Sequence, residues 1–308
     1  GRKEMSEIET RPEEKEESRT PAGDPQDAAE KEKETETQAA TAKKKENRSG
    51  EAAKSKEKAK SEVTPGPSGW RSFLVVFRKE TAGFFHSPVA YVLLGGFALL
   101  MSWLFFDQFW LRNEASVRPL FTNLPLLFLL ITPLLTMRSW AEERSSGTAD
   151  TLFSLPVSLT HLALGKGAAC LSVLLVALAI TLPYPIIADV LGNLDWGPVI
   201  GGYIAAILLG AAYVSIGLFL SAMTRTQIEA AFLTFFVAGI LYFIGEPIFL
   251  DRVTDPQWMA FFTHVGLGSR FSSIARGVLD LRDLLYYASV TALFVMLNVA
   301  VLRHRKWL

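Results

Sequence analysis

The sequence predicts an all-α integral membrane protein with six transmembrane helices, an interfacial helix in front of them and a disordered tail before that. Three observations carry this prediction. The 31 Lys and Arg balance 31 Asp and Glu, but the zero net charge conceals two unlike parts: residues 1–69 are dense in Lys and Glu, whereas 70–308 are mostly apolar. Within the second part, six apolar runs alternate with polar turns, each run near the roughly 20 residues that a helix needs to cross a bilayer. Between the second and third runs lies RSWAEERSSGTADTLFSLPVSLTHLALGK, Arg138 to Lys166. It is too charged for lipid and too patterned for a slack loop.

Residues 1–69 form the tail. Mixed-sign runs such as Glu13-Glu14-Lys15-Glu16-Glu17 offer no apolar surface to offset chain entropy, so disorder is predicted. The segment lacks the apolar centre of a signal peptide, and its mixed charges are not those of a basic nucleic-acid arm, so no nucleic-acid partner is expected. Gly1 is not an initiator and Met5 is the first methionine, which leaves the natural start open. Pro65-Gly66-Pro67-Ser68-Gly69 suits neither helix nor strand and marks the boundary of a 70–308 membrane domain. Beyond it, Trp70, Phe73, Leu74, Phe77, Phe84 and Phe85 share one helical face, with Arg71, Arg78, Lys79 and Glu80 beside it. That is the pattern of a helix lying in the membrane interface.

The first span is predicted from Pro88 to Phe106, opening with a proline where a missing amide hydrogen matters least. A polar loop with Asp107, Arg112, Glu114 and Arg118 follows, flanked by Trp103 and Trp110 as interfacial aromatics. The second span is predicted from Pro119 to Met137. Its Pro125 and Pro133 are expected to be tolerated because neighbouring helices and threonine hydroxyls re-satisfy the carbonyls they free. In the polar stretch after it, Ser146 or Thr148 can cap a helix and Gly147 eases the turn. Leu152, Phe153 and Leu155 then give a short helix an apolar side, which Pro156 terminates. Nothing within its own loop can cover that side, so it suits docking into a partner.

The run GTADTLFSLPVS, Gly147 to Ser158, preceded by Glu142-Glu143-Arg144 and followed by Gly165-Lys166, closely resembles the first cytoplasmic loop of ABC-2 type transporter permeases. In that family the short helix couples the membrane subunit to a separate ATPase. The resemblance implies a cytoplasmic coupling helix here, with Glu142, Glu143, Arg144, Gly147, Thr148, Leu152, Phe153, Leu155 and Pro156 as the ATPase-coupling residues. The first three would set the contact by pairing with the ATPase or by holding the loop's own shape. An elbow helix before the first span is also frequent in the family and corresponds to the stretch from Trp70, with its FRKE segment.

The third apolar run, Leu162 to Leu191, is longer than a bilayer requires, and Pro183 and Pro185 should kink it near its far end, where Asp189 lies. Cys170 is the sole cysteine and is expected to serve as a small packing residue. The fourth span, Val199 to Met223, carries Gly201, Gly202, Ala205, Ala206, Gly210, Ala211 and Gly217 at three- and four-residue spacing, a face for close helix approach. A fifth span is predicted from Ile228 to Leu250, with Glu246 near its far end, and a sixth from Leu284 to Leu302. Between them, Asp251 to Asp283 reads as polar and helical.

Six spans put both ends of the core on one side. Arg71, Arg78, Lys79, Arg138, Arg144, Lys166, Arg225 and the closing Arg303 to Lys306 fall there, which marks that side as cytoplasmic. Arg112, Arg118, Arg252, Arg270, Arg276 and Arg282 fall opposite, the last three beside Asp280 and Asp283, where local ion pairing is expected. The stretch Gly266 to Tyr287, GLGSRFSSIARGVLDLRDLLYY, resembles the segment leading into the last span of ABC-2 permeases of the gliding-motility GldF and copper-processing NosY kind. The likeness thus extends over Trp70 to Leu308, with the charged tail outside the family pattern.

No phosphate-binding loop is present, since Gly165-Lys166-Gly167 lacks both the upstream glycine and the hydroxyl. The chain is therefore expected to bind no cofactor, and ATP would sit on a partner subunit. His86, His161, His264 and His304 lack metal-ligand spacing, so no metal site is expected. The resemblance implies further partners: an ABC ATPase subunit, a second permease subunit in a homo- or heterodimer, the lipid membrane, and an auxiliary extracytoplasmic subunit. It also implies the plasma membrane, the inner membrane of a bacterium, as location, and export as function; the spans, dominated by Phe, Leu and Trp with Thr132, Thr136, Ser215, Thr234 and Asn298 as scattered polar points, fit an amphipathic or apolar cargo better than a small hydrophilic ion. Asp189 and Glu246, carboxylates inside predicted spans, are the candidate intramembrane polar sites. They keep open two other readings, a proton-coupled secondary transporter and a membrane-embedded enzyme.

Overall fold

A computed structural model of the chain describes residues 69–112, 116–147, 158–192, 194–252, 254–277 and 280–306. The tail and five of the coupling positions, Thr148, Leu152, Phe153, Leu155 and Pro156, lie outside these residues. All regular structure among the described residues is helical. The helices are α1 (Gly69–His86), α2 (Pro88–Arg112), α3 (Arg118–Thr136), α4 (Arg138–Ser145), α5 (Leu159–Ile180), α6 (Pro183–Leu191), α7 (Trp196–Met223), α8 (Gln227–Phe243), α9 (Pro247–Leu250), α10 (Pro256–Val265), α11 (Leu267–Ala275) and α12 (Leu281–Lys306).

Five stretches are long and apolar enough to cross a membrane: Pro88–Asp107, Arg118–Ser145, Leu159–Leu191, Trp196–Met223 and Leu281–His304. The chain is therefore a multi-pass membrane protein. The predicted fifth span departs from the expectation of one continuous helix. At 17 residues α8 is a shorter apolar helix, about 26 Å long at the α-helical rise. It stops because Pro247 has no amide hydrogen to continue the ladder and leaves Glu246 extended, at φ −86° and ψ 148°. Packing reinforces the stop: the backbones of Gly245 and Gly266 touch so closely that a side chain on either would overlap the other. The long third run is likewise divided. Thr181 and Leu182 form a turn, and Pro183 begins α6.

At the centre is α7, against which α3, α4, α5, α8, α11 and α12 all pack. Lipid chains are as apolar as leucine, so burial of apolar side chains drives helix association in a bilayer far less than close packing does. The small residues of α7 supply that packing. Gly202 lies under the Phe121 ring of α3, where an added Cβ would come within 2.5 Å of ring carbons, and Gly217 faces Thr136 in the same manner. Gly201, Ala205, Ala206 and Gly210 are buried as expected, while Ala211 is only half-buried. Around this seam Phe97, Met101 and Phe105 of α2 meet Leu120, Leu124 and Phe128 of α3 in the core. Tyr184 of α6 stacks on Phe105 at 5.1 Å and shares a 2.7 Å hydrogen bond with Ser102, tying α6 to α2.

Some polar side chains of the spans bond to their own helices, while the Thr132 and Tyr213 hydroxyls and the Asn298 amide are buried without a hydrogen-bond partner among the described residues. Thr136, Ser215 and Thr234 donate to the carbonyls of Thr132, Ala212 and Ala230. Thr136 thus reaches Thr132, one turn away, instead of the Leu129 carbonyl whose amide partner Pro133 removes. Cys170 is fully buried beside Ser139 and the Leu135 carbonyl, as a packing residue would be. Between α11 and α12, Arg270 pairs with Asp283 at 2.7 Å and lies over the Tyr286 ring, so local ion pairing does occur in that segment.

Candidate functional site at the root of the polar loop

The described part of the polar stretch comprises α4 and the turn after it. Ser221, near the end of α7, sets where α3 gives way to α4. Its hydroxyl donates to the Met137 carbonyl at 3.2 Å and accepts from the amides of Trp140 and Ala141 at 3.2 and 3.3 Å. A side chain inserted into the i to i−4 ladder interrupts a helix and holds the interruption in place. Three residues further on, the Arg144 guanidinium donates to the Ala222 carbonyl at 2.6 Å and to the Thr224 carbonyl. These carbonyls belong to the last turn of α7, which lacks intrahelical donors and carries the negative end of the helix dipole. The two contacts clamp α4 to the end of the central helix.

A buried charge cluster makes the second clamp. Lys166 of α5 is 2% exposed, and its ammonium lies 2.9 Å from Glu80 of α1 and 2.8 Å from Glu143 of α4. It also sits 5.0 Å from the centre of the Trp140 ring, which attracts a cation. A lone lysine at that depth would be costly in lipid; two carboxylates and an aromatic face make it tolerable. Gly165 lets α1 come this close, since a Cβ there would stand 2.7 Å from Val76. Three helices that are distant in sequence are thereby joined at one point.

Glu142 is exposed. Ser146 ends α4 instead of opening the next helix: its hydroxyl donates back to the Glu142 carbonyl at 2.8 Å, and Gly147 follows with φ +71°, a conformation suited to glycine. The chain is described again at Ser158, which caps α5 by accepting from the His161 amide at 3.3 Å. The residues expected to couple that lie inside the described part thus divide, with Glu143 and Arg144 half-buried in the two clamps and Glu142 exposed. Between α1, α2, α3 and α4 lies a cavity of about 580 Å³ with Lys79, Glu80, Arg138 and Glu143 among its lining residues.

The two carboxylates expected to be intramembrane sites, Asp189 and Glu246, do not line a common cavity among the described residues. Asp189 is exposed on α6. Glu246 is half-buried at the start of α9 and, with Asp195, Arg118 and Arg276, lines a second cavity of about 480 Å³ at the opposite end of α3 from α4. Sequence reasoning passed over Glu80 and Ser221 as site residues. The signal for Glu80 was Lys166, a charge one residue from two glycines in an apolar run, which demands a buried partner; nothing in the sequence pointed to Ser221.

Comparison with known proteins agrees with this geometry. The chain matches the family described as ABC-2 family transporter protein over residues 22–303. That match begins inside the charged segment and ends within α12. Among curated proteins none matches the chain. The family is the membrane component of ABC transport and normally works with an ABC ATPase subunit, so hydrolysis of ATP would lie on a partner. A multi-pass helical bundle whose polar loop is clamped at its root to the central helix, matched over most of its length by one family, is a permease: the chain belongs to the ABC-2 family of transporter proteins.

Proposed function

We propose that this chain is the permease half of an ATP-driven exporter and that residues 148–157 form the coupling helix through which an ATPase subunit moves it. In this reading α1 is an elbow helix and α8 with α9 makes a short sixth crossing, so that both ends of the core face the cytoplasm of a bacterial cell. Two permease subunits pair, and two ATPase subunits sit below them. A GldF- or NosY-like subgroup is the nearest fit of the loop and of the segment before the last span. An auxiliary extracytoplasmic subunit would meet the opposite face.

The observation that carries the reading is the double clamp at the loop's root. A push on residues 148–157 would reach α4, and from there α7 through Arg144 and Ser221, and α1 and α5 through Lys166. Rigid helices then carry the displacement across the membrane. The predominance of apolar side chains in the spans favours an amphipathic cargo over a small ion. A proton-coupled mechanism would need a carboxylate buried near the midplane, and the one buried carboxylate among the described residues that the span interior holds, Asp283, is neutralised by Arg270 at the start of α12.

The test is the double substitution Leu152→Asp with Phe153→Asp. It is expected to abolish co-purification of the ATPase subunit while the permease still inserts and runs as a monodisperse particle in detergent. Normal co-purification would remove the coupling role from this stretch.

A further inference from the structure

We propose that the cavity between α1, α2, α3 and α4 binds a phospholipid through its phosphate. The cavity of about 580 Å³ has two unlike ends. Along α1 the lining passes from Lys79 and Glu80 to Phe84, and along α3 and α4 from Leu134 to Arg138 and Glu142, while α2 adds Val89 and Leu93. One end is thus charged and the other apolar, and Val89, 37% exposed, opens the apolar end towards the lipid-facing surface. Such a division matches a molecule with a polar head and a hydrocarbon body.

The charges decide which head. Lys166 is consumed by Glu80 and Glu143, whereas Lys79 and Arg138 have no ion-pair partner among the described residues. Lys79 and Arg138, with Glu142 beside them in the lining, suit a zwitterionic head with a phosphodiester, which a guanidinium grips with two parallel hydrogen bonds and an ammonium meets as a point charge. Glu142 and Lys79 are both exposed, so water and salt screen both charges, and the half-buried Arg138 is the stronger contact for the phosphate. Glu142 also suits the amine of a zwitterionic head. A free phosphate would leave the apolar end wet, which favours a lipid over an inorganic ion.

A lipid held there would bridge α1 to the junction of α3 and α4, the same elements that the Lys166 cluster joins. Occupancy would then stiffen the root of the coupling loop, a consequence that rests on the coupling role proposed above; binding itself does not. Native mass spectrometry of the purified full chain, titrated with phosphatidylethanolamine, tests the site. Lys79→Ala with Arg138→Ala is expected to weaken retention at least about tenfold, because two charge-assisted hydrogen bonds are lost. Arg78→Ala, outside the cavity, is expected to leave it unchanged, and Lys79→Arg with Arg138→Lys to restore most of it. Diacylglycerol with the same chains should be retained far less well, and inorganic phosphate should not compete at millimolar concentration. Equal retention by the double alanine variant, or equal retention of diacylglycerol, overturns the proposal; competition by phosphate would show a free-anion site and overturn it as well. Should the double variant fail to fold, Leu93→Trp fills the apolar end without touching a charge and is expected to lower retention comparably, with unchanged retention again decisive against the site. Co-purification of the ATPase with each variant keeps a failure of this proposal distinct from a failure of the coupling role.

Discussion

Lys166 concentrates the physics of the site in one side chain. Its ammonium is stable in an apolar helix because Glu80 and Glu143 stand within 2.9 Å, and the same geometry makes each carboxylate depend on it. Replacing Lys166 by Met leaves two half-buried like charges without their counter-ion, a loss somewhat below the roughly 3–5 kcal/mol of a fully buried broken pair. The expected outcome is a clearly lower thermal midpoint for the Lys166→Met protein in detergent, followed by size-exclusion fluorescence. Adding Glu80→Gln and Glu143→Gln to that variant should recover most of the loss, since neutral amides tolerate one another. A Lys166→Met protein as stable as the original would mean that the cluster is solvated and contributes little. The lysine was legible in the sequence as an anomaly within an apolar run. Its partners, 86 and 23 residues away, were not, because which carboxylate meets it depends on how α1 and α4 lie across α5.

At the scale of elements, the instructive pieces are α4 and α8. Hydropathy alone joins α4 to the second span or assigns it to the loop; the Ser221 hydroxyl settles the matter by occupying the ladder between Met137 and Ala141. Arg144 then holds the last turn of α7 through two carbonyls. Arg144→Ala is expected to speed amide exchange over residues 138–147 by about tenfold or more, as befits hydrogen bonds from a charged group worth roughly 1.5–3 kcal/mol. Exchange in the middle of α7 should not change. If residues 138–147 exchange at the original rate, Arg144 is an ornament of the surface and the clamp lies elsewhere. The short α8 has a different lesson: the span predicted from Ile228 to Leu250 ran through Pro247, a breaker present in the sequence, whereas the Gly245 to Gly266 backbone contact that makes the break permanent joins two segments 21 residues apart.

The described helices form a bundle built on α7. Two measurements belong to this scale. A membrane-impermeant thiol reagent applied to intact cells is expected to miss Ser145→Cys and to label it after the cells are opened, with native Cys170 silent because it is fully buried. Labelling from outside would invert the proposed topology. Residues 1–69 are expected to exchange their amides without protection and to be dispensable for insertion, since mixed charges leave nothing to pack. Slow exchange there would show that the family match beginning at residue 22 reflects folded structure in the segment.

The sequence by itself determined the class of the protein: apolar runs of bilayer length, breakers between them and a patterned polar loop are local properties of the chain, and lipid enforces helices wherever such runs occur. It also marked Glu143, Arg144 and Gly147 as members of that loop. Only the tertiary structure decided that Glu143 and Arg144 lie half-buried in the two clamps, that Glu80 and Ser221 join them, and that Glu246 and Asp189 do not line a common cavity among the described residues. The physical reason is distance along the chain. A hydropathy run or a proline acts on its neighbours, but the pairing of residue 80 with 166, or of 137 with 221, depends on which faces the small residues of α7 and Gly165 of α5 allow to approach, and that is a property of the packed bundle.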